Sequence, residues 1–466
     1  MPRSVVPTGL EGEDMPTNRI VVIGAGCAGL SATYTLRKHG VEVITFEASD
    51  VVGGRCRTVA EDGYEFVAGA GSTEPQWATT FEYLAELGLL DRIYSIQKQR
   101  YGFVRNGKVR TLFVGGNFRE TIKTLPENVK FFFTGIPWKT YPQTLKAFVA
   151  LRRYMNLVDT ENQEFGALAE ISNTSAEDFV LAHGGREALE WVFHPFLSTM
   201  ILARPKDISV VHPILLFSLM KGMRSMEGGL GSITAGLYER VRDCVRLNTP
   251  VTKVVIEDSR VLGVETQDGF VESQRVVCAV DAVVARQLIP DLPEAMHNAL
   301  ATCKYSSTYY YQFGLDKPLV EQQDTPFYVV MIPAGEQTVL DFASLGSNSR
   351  DKPVVIVPTR GWEDEKLAEL SEEERRRLVI SEVQKICPAF PDEPKITKVF
   401  RWDRAINLQS PGQFVAIQDL LDNHLHDVSG LYLAGEYLFP IACTEGALAT
   451  GKKAAETVID DLAGAR

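Results

Sequence analysis

The sequence predicts an α/β protein in which a doubly wound, Rossmann-like domain is interleaved with an α+β domain. Three stretches carry that prediction. One is a strand–glycine turn–helix–strand unit over Arg19–Glu47, and another is a buried strand, Gly430–Ala434, that leads into a helix at the opposite end of the chain. The third is the middle region, which changes from helical to alternating patterns. Nucleotide-type signals at both ends imply that the first domain is discontinuous, built from about 19–95, 225–290 and 395–466. Residues 96–224 and 291–394 then form the second, substrate-side domain, in a helical part and a mixed β-sheet part. A length of 466 residues exceeds one typical core and fits two domains.

The N-terminal unit begins with Ile20-Val-Val-Ile23, a short apolar run suited to a buried parallel strand. Gly24, Gly26 and Gly29 follow in G-x-G-x-x-G spacing with Ala28 among them, and a helical pattern through Leu30, Tyr34 and Leu36 runs to Gly40. Val41–Phe46 is a second strand that ends on Glu47, an acid roughly 20 residues beyond the glycines. Gly24 makes the tight turn, Gly26 admits a pyrophosphate against the backbone, and Gly29 lets helix and strand pack closely. The helix N-terminus offers free N–H groups to the phosphate, and Glu47 accepts from a ribose hydroxyl. Gly53-Gly54-Arg55 comes next: two more glycines for close approach, and a guanidinium suited to bidentate phosphate contact.

Composition narrows the function. Apolar and charged fractions of 45% and 23% are those of an ordinary globular chain. A net charge of 48 − 60 = −12 without a basic block argues against nucleic-acid binding. Seven scattered cysteines without C-x-x-C spacing suggest reduced thiols, a cytoplasmic setting and no metal site. No apolar run reaches the roughly 18 residues of a membrane span. Residues 1–18 read as a disordered leader, with Met15 as an alternative start.

Along the chain, Gly63–Val67 reads as a strand entering Ala68-Gly69-Ala70-Gly71-Ser72, small residues that either lie along a flat ring or make a plain turn. Trp77–Leu90 is an amphipathic helix, and Tyr101–Val114 a hairpin about Asn106-Gly107. Residues 128–151 interleave aromatics with Lys130, Lys139 and Lys146, which suits either a membrane interface or the core of a helical subdomain. Gly135, Pro137 and Pro142 blur the amphipathic pattern and favour the core. Pro213–Met220 is apolar on every side, hence buried or facing an apolar ligand. After the helix Ser232–Val241, a strand at Val251 either crosses an adenine or merely opens a meander. In Tyr305–Phe313, Tyr305, Ser307, Tyr309, Tyr311 and Phe313 share one face of a strand. Ser371 and Glu374 form a capping box. Gly435-Glu436 closes the C-terminal strand. Thr444-Glu445-Gly446-Ala447 then opens a helix whose stripe Ala447, Gly451, Ala455 packs closely on a strand, a cofactor or another helix.

With both ends described, the chain resembles the flavin amine oxidase superfamily over nearly its whole length. The resemblance rests on the glycine fingerprint with Glu47 and Gly53-Gly54-Arg55, on the Val251 strand, and on Trp402 in Phe400-Arg401-Trp402. Leu433-Ala434-Gly435-Glu436 and Thr444-Glu445-Gly446-Ala447 complete it. It implies FAD extended across the doubly wound domain with its ring toward the substrate domain. Cofactor binding then falls to Gly24, Gly26, Ala28, Gly29, Glu47, Gly53, Gly54, Arg55, Gly69, Ala70, Gly71, Ser72, Val251, Trp402, Gly435, Glu436, Thr444, Glu445 and Ala447. The flavin-linking cysteine of monoamine oxidases would fall near Gly412-Gln413, so FAD is expected to be noncovalent.

Departures from the superfamily point to its branch. About Tyr309 stands where amine oxidases carry a lysine, and Ile441-Ala442-Cys443-Thr444 stands where they place an aromatic. Ser175–Val180 through Phe193–Leu197, and Gly228-Gly229-Leu230-Gly231, resemble protoporphyrinogen oxidases; the C-terminal run suits these and phytoene-type desaturases alike. Val67 replaces the aspartate of many relatives, and no basic residue is assigned to a porphyrin carboxylate. The expected activity is dehydrogenation of a bulky, mostly apolar small molecule by hydride transfer to flavin N5, with Tyr309, Tyr311 and Cys443 near the ring. His194 and His212 read as structural. An amine or amino-acid oxidase releasing peroxide is the alternative, and a non-redox isomerase or flavin-binding scaffold the third.

Overall fold

The structure, a computed structural model, describes residues 19–96, 98–115, 118–158, 165–219, 222–319, 327–346 and 352–464. The leader expected over 1–18 lies outside them, as does Met220 at the end of the apolar octet.

Five parallel strands form one sheet in the order Leu431–Leu433, Val276–Cys278, Ile20–Ile23, Val43–Phe46, Val245–Arg246. Strands from three separated stretches thus meet in one layer, Val21 beside Val276 and Val276 beside Leu431. Both faces are covered, which is why Ile20–Ile23 is apolar throughout. Ile20 and Val22 pack with the helices Cys27–Lys38 and Thr444–Gly464; Val21 and Ile23 pack with the meander Val251–Glu257, Arg260–Thr266, Gly269–Glu272 and the helices Ala282–Leu288 and Glu294–Ala301. The small-residue stripe serves a helix–helix contact: a Cβ on Gly451 would lie 2.1 Å from the carbonyl oxygen of Ala28.

A second sheet has seven strands in the order Ile396–Trp402, Thr308–Gly314, Val354–Pro358, Phe342–Ser344, Phe327–Met331, Lys98–Arg105, Lys108–Gly115. Its hairpin turns at Asn106 and Gly107, both at positive φ as such turns demand. One face, bearing Tyr311, Phe313, Val355 and Val357, is buried under the helix Glu372–Ile386, which opens with the Ser371–Glu374 capping box. The opposite face packs Tyr310 and Ile356 on the hairpin Thr58–Glu61/Tyr64–Val67, and Phe103, Val329 and Met331 on Phe131 and Phe196 of the helical region. We propose the parallel sheet with its meander as the nucleotide-binding part and this sheet with the helices of 118–219 as the substrate part. The C-terminal piece drawn from 395 requires correction. Ile396–Trp402 finds its antiparallel partner in Thr308–Gly314, so the strand belongs to the seven-stranded sheet.

The segment 128–151 departs from the favoured core reading. Phe131, Ile136, Ala147 and Leu151 are buried, but Phe132, Phe133, Trp138, Leu145 and Val149 are exposed, Phe133 by 75% and Trp138 by 74%. In the apolar octet, Pro213–Leu215 are buried and Leu216–Leu219 half-buried.

A single side chain ties the second sheet to the hairpin. Gln312, fully buried, accepts from the Val67 amide at 3.1 Å and donates to the Val67 carbonyl at 2.6 Å. Replacing it by leucine strands both main-chain groups, so Gln312→Leu should cost roughly 1–3 kcal/mol. The midpoint of urea unfolding reads this directly; an unchanged midpoint contradicts it.

Candidate functional site

Two glycine turns lie side by side at the N-terminus of the helix Cys27–Lys38. Gly24, at φ +94°, donates to the Phe46 carbonyl, and a Cβ on Gly29 would lie 1.8 Å from the Gly24 oxygen, so no larger residue fits there. Gly53 donates to the Ala25 carbonyl at 2.8 Å and bridges Gly26. A Cβ on Gly26 would meet nothing within 4 Å, and one on Gly54 only the Gly26 Cα at 3.6 Å. Bare backbone therefore surrounds open space at a helix N-terminus, the arrangement that favours a phosphate. Glu47 stands beside it, accepting from Ala25 N at 2.7 Å and from Ser49 N and Oγ at 2.9 and 2.8 Å. Thr249 N donates to the Glu47 carbonyl, which pins the start of the meander there; Val251 itself turns its side chain into the core.

Arg55 joins the rest of the site. Its Nη2 lies 2.8 Å from Glu436 Oε2, its Nη1 donates to the Ala405 carbonyl at 3.2 Å, and its guanidinium lies 5.7 Å from the centre of the Tyr305 ring. Burial opposes the charge, but Glu436 and Tyr305 outweigh it and hold the pKa above the ordinary arginine value. Glu436 Oε1 is buried without a partner. The main chain of Arg55 is equally engaged: Ala70 N donates to its carbonyl at 3.1 Å, and a Cβ on Gly69 would lie 2.4 Å from that oxygen. Trp402 Nε1 donates to the Ala68 carbonyl at 2.8 Å, and Ser225 Oγ to Gly71 at 3.2 Å. Ala68–Ser72 thus lies flush between Arg55 and Trp402, as a flat ring would require. Gly435, at φ +154°, takes its place through Thr450 Oγ1 at 3.0 Å.

Several expected residues serve other ends. Tyr309 and Tyr311 face away from this region, because strand side chains alternate and Thr308, Tyr310 and Gln312 occupy the inner face. Tyr309 lies between the guanidinium groups of Arg375 and Arg401 at 4.2 and 4.4 Å, and Tyr311 stacks on Phe313 in the core under Glu372–Ile386. Glu445 caps the helix Ala78–Glu86, accepting from Thr79 N, Thr80 N and Thr80 Oγ1. Cys443 Sγ accepts from Gly446 N at 3.4 Å as Thr444 opens the C-terminal helix, and burial pushes its thiol up to about 12. Ala28 and Ala447 pack within the helix contacts rather than on a cleft. Burial pulls His212 down to about 4, and burial with Arg360 and Arg204 does the same to His194, so both rings are neutral. Tyr305 and Ala405 were missed: nothing local in the sequence marks residues that meet Arg55 only through the fold.

The residues present fit FAD. Uncovered glycine backbone and Arg55 suit a pyrophosphate, Glu47 a ribose, and the free oxygen of Glu436 a further hydroxyl or N–H. Gln413, near which the resemblance places a flavin-linking cysteine, is fully buried and donates to Asn407 at 2.7 Å.

Comparison with known proteins agrees. The chain matches the flavin-containing amine oxidoreductase family over residues 27–459. It is 23% identical to mitochondrial protoporphyrinogen oxidase of Nicotiana tabacum, over 98% of this chain and 98% of that protein. It is 26% identical to an L-amino acid oxidase of Cerastes cerastes, over 65% of this chain and 58% of that protein. Cyclohexylamine oxidase from Brevibacterium oxydans shares the fold at a TM-score of 0.75, with 18% identity over 96% of this chain and 100% of that one. Putrescine oxidase bound to putrescine does so at 0.74, with 17% identity over 95% and 99%. The chain belongs to the flavin-containing amine oxidoreductase family, an α/β oxidoreductase with FAD as its cofactor.

Proposed function

We propose that this oxidoreductase dehydrogenates a bulky, mostly apolar molecule held between noncovalent FAD and the inner face of the seven-stranded sheet. The observation that carries the reading is that face. Beyond the part covered by the Thr58–Val67 hairpin it presents Phe342, which packs with Phe196 on the cluster of Phe103, Val329 and Met331, and Phe217 stacks on Phe196 at 5.1 Å. No lysine lies on the inner face of Thr308–Gly314, and Lys304 is exposed. The plant protoporphyrinogen oxidases match nearly the full chain, whereas the L-amino acid oxidase of Cerastes cerastes matches 65% of it, which supports the same branch.

Bound FAD supplies the hydride acceptor. Arg55 and Glu436 would hold the cofactor, Ala68–Ser72 and Trp402 would lie along its ring, and the apolar wall would exclude water and position the substrate. Cys443, pushed up to about 12, and the two histidines, pulled down to about 4, exchange no proton around neutral pH, so none of them serves as a general base.

We further propose that the substrate arrives from an anionic lipid surface. On the helix Phe118–Thr134, Phe118, Ile122, Leu125, Val129, Phe132 and Phe133 recur at helical spacing and are all exposed; Trp138, Leu145 and Val149 extend the patch. Around them stand Arg119, Lys123, Lys130, Lys139, Lys146, Arg152 and Arg153, and by sequence residues 118–153 carry seven basic against two acidic side chains, 7 − 2 = +5 in a chain of −12. An apolar stripe with a basic border suits an interface, and no described helix is long and apolar enough to cross a membrane.

Anaerobic mixing with porphyrinogens, polyenes and related apolar conjugated compounds should bleach the flavin, while small primary amines should not. Rapid bleaching by the amines alone, with ammonia and peroxide formed in air, would show the alternative branch; no bleaching by any compound would favour the non-redox reading. For the surface, the holoenzyme should sediment with phosphatidylserine-containing vesicles, less so at high salt, and Phe133→Asp with Trp138→Asp should release it. Equal sedimentation of the double variant would refute the lipid contact.

A further inference from the structure

The inner face of the seven-stranded sheet carries a buried polar island that the reaction above does not use. Its origin is a β-bulge. Leu340 pairs with Thr359 while Ser344 pairs with Ile356, sums of 699 and 700, so one extra residue sits in the strand between them. Counting back from Ala343, which packs under Glu372–Ile386, strict alternation would send Asp341 into that same core. The extra residue instead places Asp341 with Phe342 on the inner face, where Ser198 of the helix His194–Ile201 and Arg360 act on its carboxyl.

The island is conspicuously unsatisfied. Asp341 is fully buried; the Ser198 hydroxyl and Arg360 act on its carboxylate, yet neither oxygen completes a hydrogen bond of ordinary geometry. Arg360 is 5% exposed; its Nη1 serves the Glu336 and Thr338 carbonyls at 3.0 and 3.2 Å, and its Nε is bare. His194 Nε2 is also buried and bare. Trp362 lies between Arg360 and Arg204 at 5.5 and 5.6 Å and edge-on to His194 at 6.1 Å. Buried polar atoms are rarely left unpaired, and several together in an apolar surrounding call for a partner. The strand carrying Asp341 is three strands from Trp402, about 14 Å at the usual spacing, a span only a bulky molecule covers from the flavin side.

We propose that Asp341 is a substrate-binding residue whose two carboxylate oxygens accept hydrogen bonds from a neutral N–H group at the far end of the substrate. The charges around it select neutrality. Arg360 and Arg204 would repel an ammonium, while Arg360 stabilises the ionised carboxylate. Burial, opposed by Ser198 and Arg360, pushes the carboxyl up to about 7. The ring facing it holds still through that range: burial, with Arg360 and Arg204 beside it, keeps His194 near 4 and neutral. The acceptor is therefore strongest above about pH 7 and fades as pH falls below it.

This inference deepens the function proposed above and rests on the inner face being the substrate wall. The test uses the FAD-loaded enzyme and two probes, 2-phenylindole and its N-methyl derivative, with binding read from the flavin difference spectrum. The wild type should prefer the N–H compound by at least about tenfold at pH 8. The preference should shrink toward pH 6, and in Asp341→Leu it should fall to within about twofold while the N-methyl compound binds as before. Asp341→Asn, a closer match in shape, should lose the pH dependence. Removing an unbonded buried carboxyl should leave the Tm of Asp341→Leu unchanged or raised, whereas a structural role would lower it. A preference that survives in Asp341→Leu, or is absent from the wild type while both compounds bind, overturns this proposal alone. If neither compound perturbs the wild-type flavin, the substrate-wall reading falls with it.

Discussion

The half-buried guanidinium of Arg55 is the constraint on which the other contacts depend. A charge taken partly out of water needs partners with fixed geometry, and here they come from distant stretches: Glu436, the Ala405 carbonyl and the face of Tyr305. Its own carbonyl receives Ala70 N, which admits only glycine at 69. One residue therefore binds the N-terminal glycine turns, the Ala68–Ser72 segment and the C-terminal strand end into a single site. The same contacts leave the backbone of Gly26 and Gly54 uncovered, room that suits a pyrophosphate.

The second sheet takes its position from this centre. Gln312 clamps both main-chain groups of Val67, and Trp402 holds the Ala68 carbonyl. Its inner face is thereby held against the hairpin that leads into Ala68–Ser72, and the proposed chemistry rests on what the rest of that face carries. Apolar and aromatic side chains dominate it, with one polar island around Asp341. On the outside, the exposed stripe of Phe118–Thr134 is backed by Phe131, which packs on Phe103 at 5.3 Å, so the surface patch and the inner wall share a core.

What the sequence made legible was local. The Gly24–Gly29 spacing, the acid at Glu47, the Asn106-Gly107 turn and the Ser371–Glu374 box each depend on neighbours a few residues away, and each is in place. The misreadings came from distance and register. A shift of one residue exchanges the faces of a strand, which moved Tyr309 and Tyr311 from the expected site to the opposite core. Glu445 caps a helix 366 residues away in sequence, a role no spacing could announce. The apolar stripe is hard to read within 128–151 because it starts ten residues earlier, on a helix that begins at Phe118 and continues through Pro126. Asp341 was hidden by a bulge, whose extra residue shows only once both strands are paired.

The central claim is that Arg55, compensated by Glu436, holds the cofactor's pyrophosphate at the glycine turns. The most direct measurement is the FAD dissociation constant of apoprotein carrying Arg55→Met, with far-ultraviolet circular dichroism confirming the fold. Loss of a charge-assisted contact predicts binding weaker by roughly tenfold to a hundredfold with secondary structure retained. A folded variant that binds FAD within about twofold of the wild type would contradict the account.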